Sequence, residues 1–204
     1  MERIMRRAEE GRVRLPSFES ARKLIHLVGG LIPLIYLLLN LTKLQALLIL
    51  GSLALPFIVA DVLRLRWPAL NPWFLRLFQG AMRPEEEKRL TGSTYYLVAC
   101  WFTILMFERT VAAAALLVLA CADTAASVAG QAMGGYRLTK GKTLSGTGAF
   151  LVTAFLVTLP LFPASTAFAG AIVAAVTECL PLPLDDNITV PLAAGISLTL
   201  FHPM

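Results

Sequence analysis

Residues 112–135 read AAAALLVLACADTAASVAGQAMGG, an apolar run long enough to cross a bilayer as a helix and broken by a single carboxylate, Asp123. An ionised side chain at the centre of a membrane helix costs roughly 2.5–3.5 kcal/mol on insertion scales, so Asp123 needs water, a counter-charge or a metal, and it marks a functional site by default. Ser127 at i+4 and Gly130 at i+7 share its helical face, and such small neighbours let a second helix or a ligand approach closely. At about 1.5 Å per residue from Thr110, Asp123 lies about 20 Å into the span. The competing reading is a salt bridge to an inward-facing Arg or Lys.

The rest of the chain has the same character. Of 204 residues 57% are hydrophobic and only 15% charged, too little polar surface to clothe a soluble globule, so the solvent is lipid. Seven apolar spans are expected, at 24–40, 44–61, 93–107, 110–130, 147–162, 165–180 and 187–202. Outside them, seven Lys and Arg precede the first span, six lie between Asp61 and Gly92 and three between Gln131 and Gly146, against Lys43 and Arg109 alone on the other side. Sixteen against two predicts an all-α integral membrane bundle with its N-terminus in the cytoplasm and, after seven crossings, its C-terminus outside. Asp123 then falls in the cytoplasmic half of its span. The net charge of +5 serves this orientation and anionic headgroups, and no nucleic-acid partner is expected.

Residues 1–22 form a basic leader, read as a partial helix on the membrane surface or as a disordered segment, and 23–204 form the bundle. No cleavable signal is expected, because the charged leader is too long and no small-residue cleavage site follows the first apolar run. Residues 71–82, NPWFLRLFQGAM, place Trp73, Phe74, Leu77 and Phe78 around Arg76 at the spacing of an interfacial amphipathic helix, read as an anchor or as a lipid entrance. Cys100, Cys121 and Cys179 fall in or beside apolar spans without metal-ligand spacing and read as packing residues.

Three further clusters share the basic side with Asp123. Residues 19–26, ESARKLIH, align Glu19, Arg22, Lys23 and His26 on one helical face; anchoring explains the first three and leaves His26 inside an apolar run. Residues 134–148, GGYRLTKGKTLSGTG, set Arg137, Lys140 and Lys142 among glycines and the hydroxyl of Ser145 before the fifth span, where helix-start N–H groups such as that of Gly146 favour phosphate. This is no P-loop, since the glycine required five positions before Gly141 is Tyr136. Residues 178–187, ECLPLPLDDN, break the sixth helix at Pro181 and Pro183 and gather Glu178, Asp185 and Asp186; Asp186 or Asn187 caps the seventh span, and Pro191 falls in or near its first turn. Capping explains one acid, and three acids on the basic side suit a divalent metal with a nucleotide polyphosphate.

The order of these motifs resembles the CTP-using lipid-alcohol kinases: dolichol or polyprenol kinase, phytol kinase and CTP-dependent diacylglycerol kinase, relatives of the membrane cytidylyltransferases. The resemblance rests on residues 19–26, on ADTAASVAG at 122–130, on KTLSGT at 142–147 and most specifically on 178–192. The family's acidic motif usually has Gly before the Asp, here Ala122, and Arg after the next Gly, here Gln131. It implies transfer of the CTP γ-phosphoryl group to a membrane lipid alcohol, with a divalent metal, Mg²⁺, bridging the phosphates. On this reading Asp123, Glu178, Asp185 and Asp186 hold metal; Arg22, Lys23, His26, Lys140, Lys142, Ser145 and Gly146 hold phosphate; and Asp123 orients the attacking hydroxyl, with Ser127 and Asn187 alongside. An isoprenoid acceptor is favoured over diacylglycerol, in a prokaryotic cell membrane. Oligomeric state is not legible.

Rival chemistries leave other signatures. A CDP-lipid-forming cytidylyltransferase carries a C-terminal stretch ending H-G-G, and a CDP-alcohol phosphotransferase carries D-x2-D-G-x2-A-R; neither is present. A small transporter would put Asp123 in an ion pathway without nucleotide dependence, and leaves the acidic cluster unexplained.

Overall fold

A computed structural model describes residues 25–67, 69–78, 82, 84–139 and 141–202. The leader, with Glu19, Arg22 and Lys23, and Lys140 in the later loop lie outside the described residues.

Every expected span is a helix. They are α1 (Ile25–Leu38), α2 (Lys43–Arg66), α4 (Gly92–Met106), α5 (Arg109–Met133), α6 (Leu144–Thr158), α7 (Ala164–Cys179) and α8 (Asp186–Phe201), with the short α3 (Asn71–Phe78) before α4. Two of them, α2 and α5, are long and apolar enough to cross a membrane; the others are shorter apolar helices. Caps fix several starts. Thr42 and Gln45 form a reciprocal capping box at α2, Thr91 caps α4 and Thr143 caps α6.

The two long helices face different surroundings. In α5 every residue from Val111 to Ala120 is buried, and the run of alanines lets α1, α6 and α8 close around it. Leu44, Leu48, Leu53 and Leu55 of α2 are exposed, as are Leu38, Phe102, Val152, Phe168 and Leu200 elsewhere. So broad an apolar exterior exceeds what a water-facing monomer carries and belongs in lipid.

The second helix runs five residues past its expected end at 61, and that extension carries a buried ion pair. Arg64 Nε donates to Asp61 Oδ1 at 2.6 Å with both side chains fully buried. The remaining guanidinium N–H groups reach the carbonyls of Glu86, Glu87 and Arg89 and the Asn71 side chain, while the second Asp61 oxygen accepts from Thr91 and Thr94. The guanidinium also stacks 4.9 Å from the Phe74 ring. Each polar atom of the pair is satisfied, as burial of two charges requires. The pair ties α2 to α3, to the 3-10 turn Pro84–Lys88 and to the start of α4.

Two local expectations are corrected. Asp185, not Asp186 or Asn187, caps α8, its carboxylate accepting from Asn187 N at 2.9 Å. With the cap one or two residues earlier than expected, Pro191 is the sixth residue of α8, inside the helix, where its ring cannot donate to the Asn187 carbonyl. The expected loop after α5 holds a small antiparallel hairpin, β1 (Arg137–Thr139) and β2 (Lys142–Thr143).

Removing the Arg64 guanidinium leaves the Asp61 carboxylate buried and unpaired. Arg64→Met is therefore expected to cost roughly 3–5 kcal/mol in unfolding measurements in detergent, and a loss under about 1 kcal/mol would contradict the structural role given to the pair.

Candidate functional site

One end of the bundle brings together the starts of α1, α4, α6 and α8, the ends of α5 and α7 and the hairpin around a cavity of about 760 Å³. Among the described residues, Lys43 and Arg109 lie at the opposite end, satisfied on the Leu105 and Leu41 carbonyls.

The centre of the cavity wall is Lys142. Its ammonium lies 2.6 Å from Glu178 Oε1 and 2.8 Å from Asp186 Oδ2. Position explains the pairing: β2 ends at the α6 cap, which sets Lys142 against the last turn of α7 and the first of α8. Glu178 is buried, so its charge needs this partner, whereas Asp186 keeps much of its carboxylate exposed to the cavity. Burial pulls the Lys142 ammonium down, but its hydrogen bonds to Asp186 and Glu178 outweigh that and hold it above its ordinary 10.5.

Asp123 lines the same cavity from α5, directly after a π-helical segment, Val118–Ala122. Such segments redirect the side chains that follow and occur often at functional sites. Ser127 and Gly130 line the cavity with Asp123, as their spacing predicts. No Lys or Arg pairs with Asp123 among the described residues; instead His26 Nδ1 of α1 lies 3.9 Å from its carboxylate. The α5–α6 contact behind it is close: a Cβ on Gly130 would come within 2.9 Å of Thr143 Oγ1, and one on Gly146 within 2.9 Å of the Ala126 carbonyl. Glycine is the residue that fits at that crossing.

The sequence-predicted set therefore divides. His26, Asp123, Ser127, Lys142, Gly146, Glu178, Asp185, Asp186 and Asn187 line one cavity. Ser145 does not; its hydroxyl donates to the Gly134 carbonyl at 2.5 Å and ties the base of the hairpin. Arg22, Lys23 and Lys140 lie outside the described residues. Sequence reasoning missed Glu86, which the Arg64-held loop brings to the cavity and whose Oε1 accepts from Gly92 N at 3.1 Å. It also missed Thr147, which contacts Cys179 Sγ at 3.0 Å.

The donor set is carboxylate oxygen, which suits a hard divalent cation. Among the described residues, no three His, Cys, Asp or Glu side chains are arranged as a preformed metal site. Lys142 holds Glu178 and Asp186, and Asp185 Oδ1 is engaged with Asn187.

An all-α bundle of membrane type with a polar, acid- and lysine-lined cavity at one end is the class these features define. Comparison with known proteins narrows it. Over 104 residues the chain is 32% identical to CTP-dependent diacylglycerol kinase 1 of Schizosaccharomyces pombe, covering 50% of this chain and 48% of that one. Over 98 residues it is 35% identical to the protein of the same name from Eremothecium gossypii, 47% of this chain and 31% of that one. It is also 24% identical over 197 residues to the uncharacterised protein RP860 of Rickettsia prowazekii, 90% of this chain and 95% of that one. The chain thus spans about half or less of the two kinases. No family model and no solved structure matches. The resemblance to CTP-dependent lipid kinases is borne out, while nothing in these relatives supports the isoprenoid preference.

A lysine whose folded pKa is raised contributes stability in full below its unfolded value, and that contribution is lost as pH rises through the folded value. Wild type is thus expected to melt above Lys142→Met at pH 8 and to lose that advantage as pH climbs past 10.5. An advantage unchanged up to pH 12 would contradict the pairing.

Proposed function

We propose that the chain is a CTP-dependent diacylglycerol kinase, working at the cytoplasmic end of a seven-span membrane bundle with its N-terminus in the cytoplasm. The observation that carries the proposal is that Asp123 and His26 line one cavity with the cluster of Lys142, Glu178 and Asp186. The names of the relatives favour diacylglycerol over an isoprenoid alcohol.

In this reading the CTP polyphosphate lies along the Lys142 wall. Lys142, the start of α6 at Gly146, and Arg22, Lys23 and Lys140 supply positive charge and N–H donors to the phosphates. Asp186, Asp185, Glu178 and Asp123 are the carboxylates that would hold a divalent cation such as Mg²⁺, which would supply charge neutralisation for the polyphosphate.

The lipid hydroxyl reaches the cavity beside Asp123. Its oxygen attacks the γ-phosphorus, the bond from that phosphorus to the β,γ-bridging oxygen breaks, and CDP leaves. Asp123 takes the hydroxyl proton, with His26 beside it to share the developing charge. Ser127 and Asn187 orient the partners. Such a reaction needs in-line placement and charge compensation more than covalent catalysis, which suits a site made of lysine, carboxylates and helix ends.

The test supplies purified protein in detergent with Mg²⁺, CTP labelled at the α- or the γ-phosphate, and diacylglycerol, polyprenol or phytol. Label from γ-CTP entering diacylglycerol as phosphatidate is expected; α-label entering the lipid would make it a cytidylyltransferase, and no transfer with any lipid would end the kinase reading. Asp123→Asn is expected to lower kcat by roughly 10²–10⁴-fold with little change in KM for CTP.

A further inference from the structure

A second cavity, about 360 Å³ and lined almost throughout by apolar side chains, runs between α1, α2, α3 and α4. It adjoins the polar cavity, for Ile25, His26 and Ser93 line both. At its other side Phe57 and Phe78 meet edge to face at 5.4 Å, and Phe78 packs on Phe74, the ring under the Arg64 guanidinium. The buried ion pair thereby sets one wall of the slot. Along the slot, Gly29 lies so close to Tyr96 that a Cβ there would come within 2.6 Å of its hydroxyl. That hydroxyl is buried in the slot wall, with the Cys100 thiol as its neighbour.

We infer that this slot is the seat of the acceptor's acyl chain: a diacylglycerol lies with a hydrocarbon chain between α1 and α4 and its glycerol hydroxyl at the His26 junction. The inference rests on the kinase reading above and names where that substrate binds. The physical case is the change of lining at a single point. An occupant spanning both cavities must be apolar along one part and carry a hydroxyl or ester at the other, because a wholly polar ligand would lose its hydration in the slot and a pure hydrocarbon would leave the polar cavity unmatched. Trp73 and Leu77, on the exposed side of α3, mark that helix as an interfacial one beside the slot, joining the anchor and entrance readings of residues 71–82 in one element.

The experiment places wild type in phosphatidylcholine nanodiscs with a diacylglycerol bearing a diazirine on one acyl chain, irradiates, and maps the adducts by mass spectrometry; γ-label transfer to the same lipid is measured in parallel. Adducts are expected on residues 25–32 and 91–97, displaced by unlabelled diacylglycerol. Val28→Trp, at an exposed position lining the slot, is expected to cut those adducts at least fivefold and to raise KM for diacylglycerol by a similar factor. Adducts elsewhere, or adducts that added phosphatidylcholine displaces as well as diacylglycerol does, would overturn the inference, whether the leader or a bulk lipid fills the slot. Transfer with scattered adducts removes the slot and leaves the kinase; slot adducts without transfer remove the kinase and leave the slot.

Discussion

Lys142 brings one ammonium to within 2.6 Å of Glu178 and 2.8 Å of Asp186, and through those contacts the hairpin, the end of α7 and the start of α8 are held at one point. Lipid around the bundle makes such an arrangement costly anywhere else. Carboxylates with no counter-charge would have to leave the interior, and a lysine without carboxylates would move to the headgroups. With charge balanced in place, an acidic cluster can stand on the same side as the basic excess. The Asp61–Arg64 pair does a similar task on the other flank, fixing the loop that carries Glu86 and the aromatic wall of the apolar slot.

Most of the architecture was legible because hydropathy is a strong signal when the solvent is lipid. All seven apolar runs are helices, and Asp123, Ser127 and Gly130 share a face as the 3.6-residue period requires. What the sequence left hidden depends on contacts between distant segments. Arg64 looked like one more positive-inside charge; that it is buried follows from Asp61 three residues earlier and from carbonyls more than twenty residues later. An i,i+3 Asp–Arg pair at the end of an apolar run was the available hint. Ser145 matched a phosphate-binding pattern, yet its hydroxyl is taken by Gly134, because a short hairpin forms where only a loop was expected. Asp185 wins the cap over its neighbours because the chain after Pro183 enters the helix one residue earlier.

The function reads from the same division of environments. In the proposed function, the polar cavity and the apolar slot that share His26 serve a nucleotide from water and an alcohol from the bilayer. The relatives that the chain resembles over about half of its length are named CTP-dependent diacylglycerol kinases. The acceptor was not legible in the sequence, and the isoprenoid favoured there finds no support in the relatives, because residues read for phosphate and metal say nothing about a hydrocarbon tail.

The central claim is that the Lys142 end of the bundle is a site shared by nucleotide and metal. Equilibrium binding of CTP to the purified protein, with and without Mg²⁺, tests it most directly, in wild type and in Asp186→Asn, which keeps the Lys142 contact to Glu178. The expected result is CTP binding that strengthens at least tenfold with Mg²⁺ in wild type and loses that strengthening in the variant. CTP binding indifferent to Mg²⁺, or a Mg²⁺ effect that survives Asp186→Asn unchanged, would contradict it.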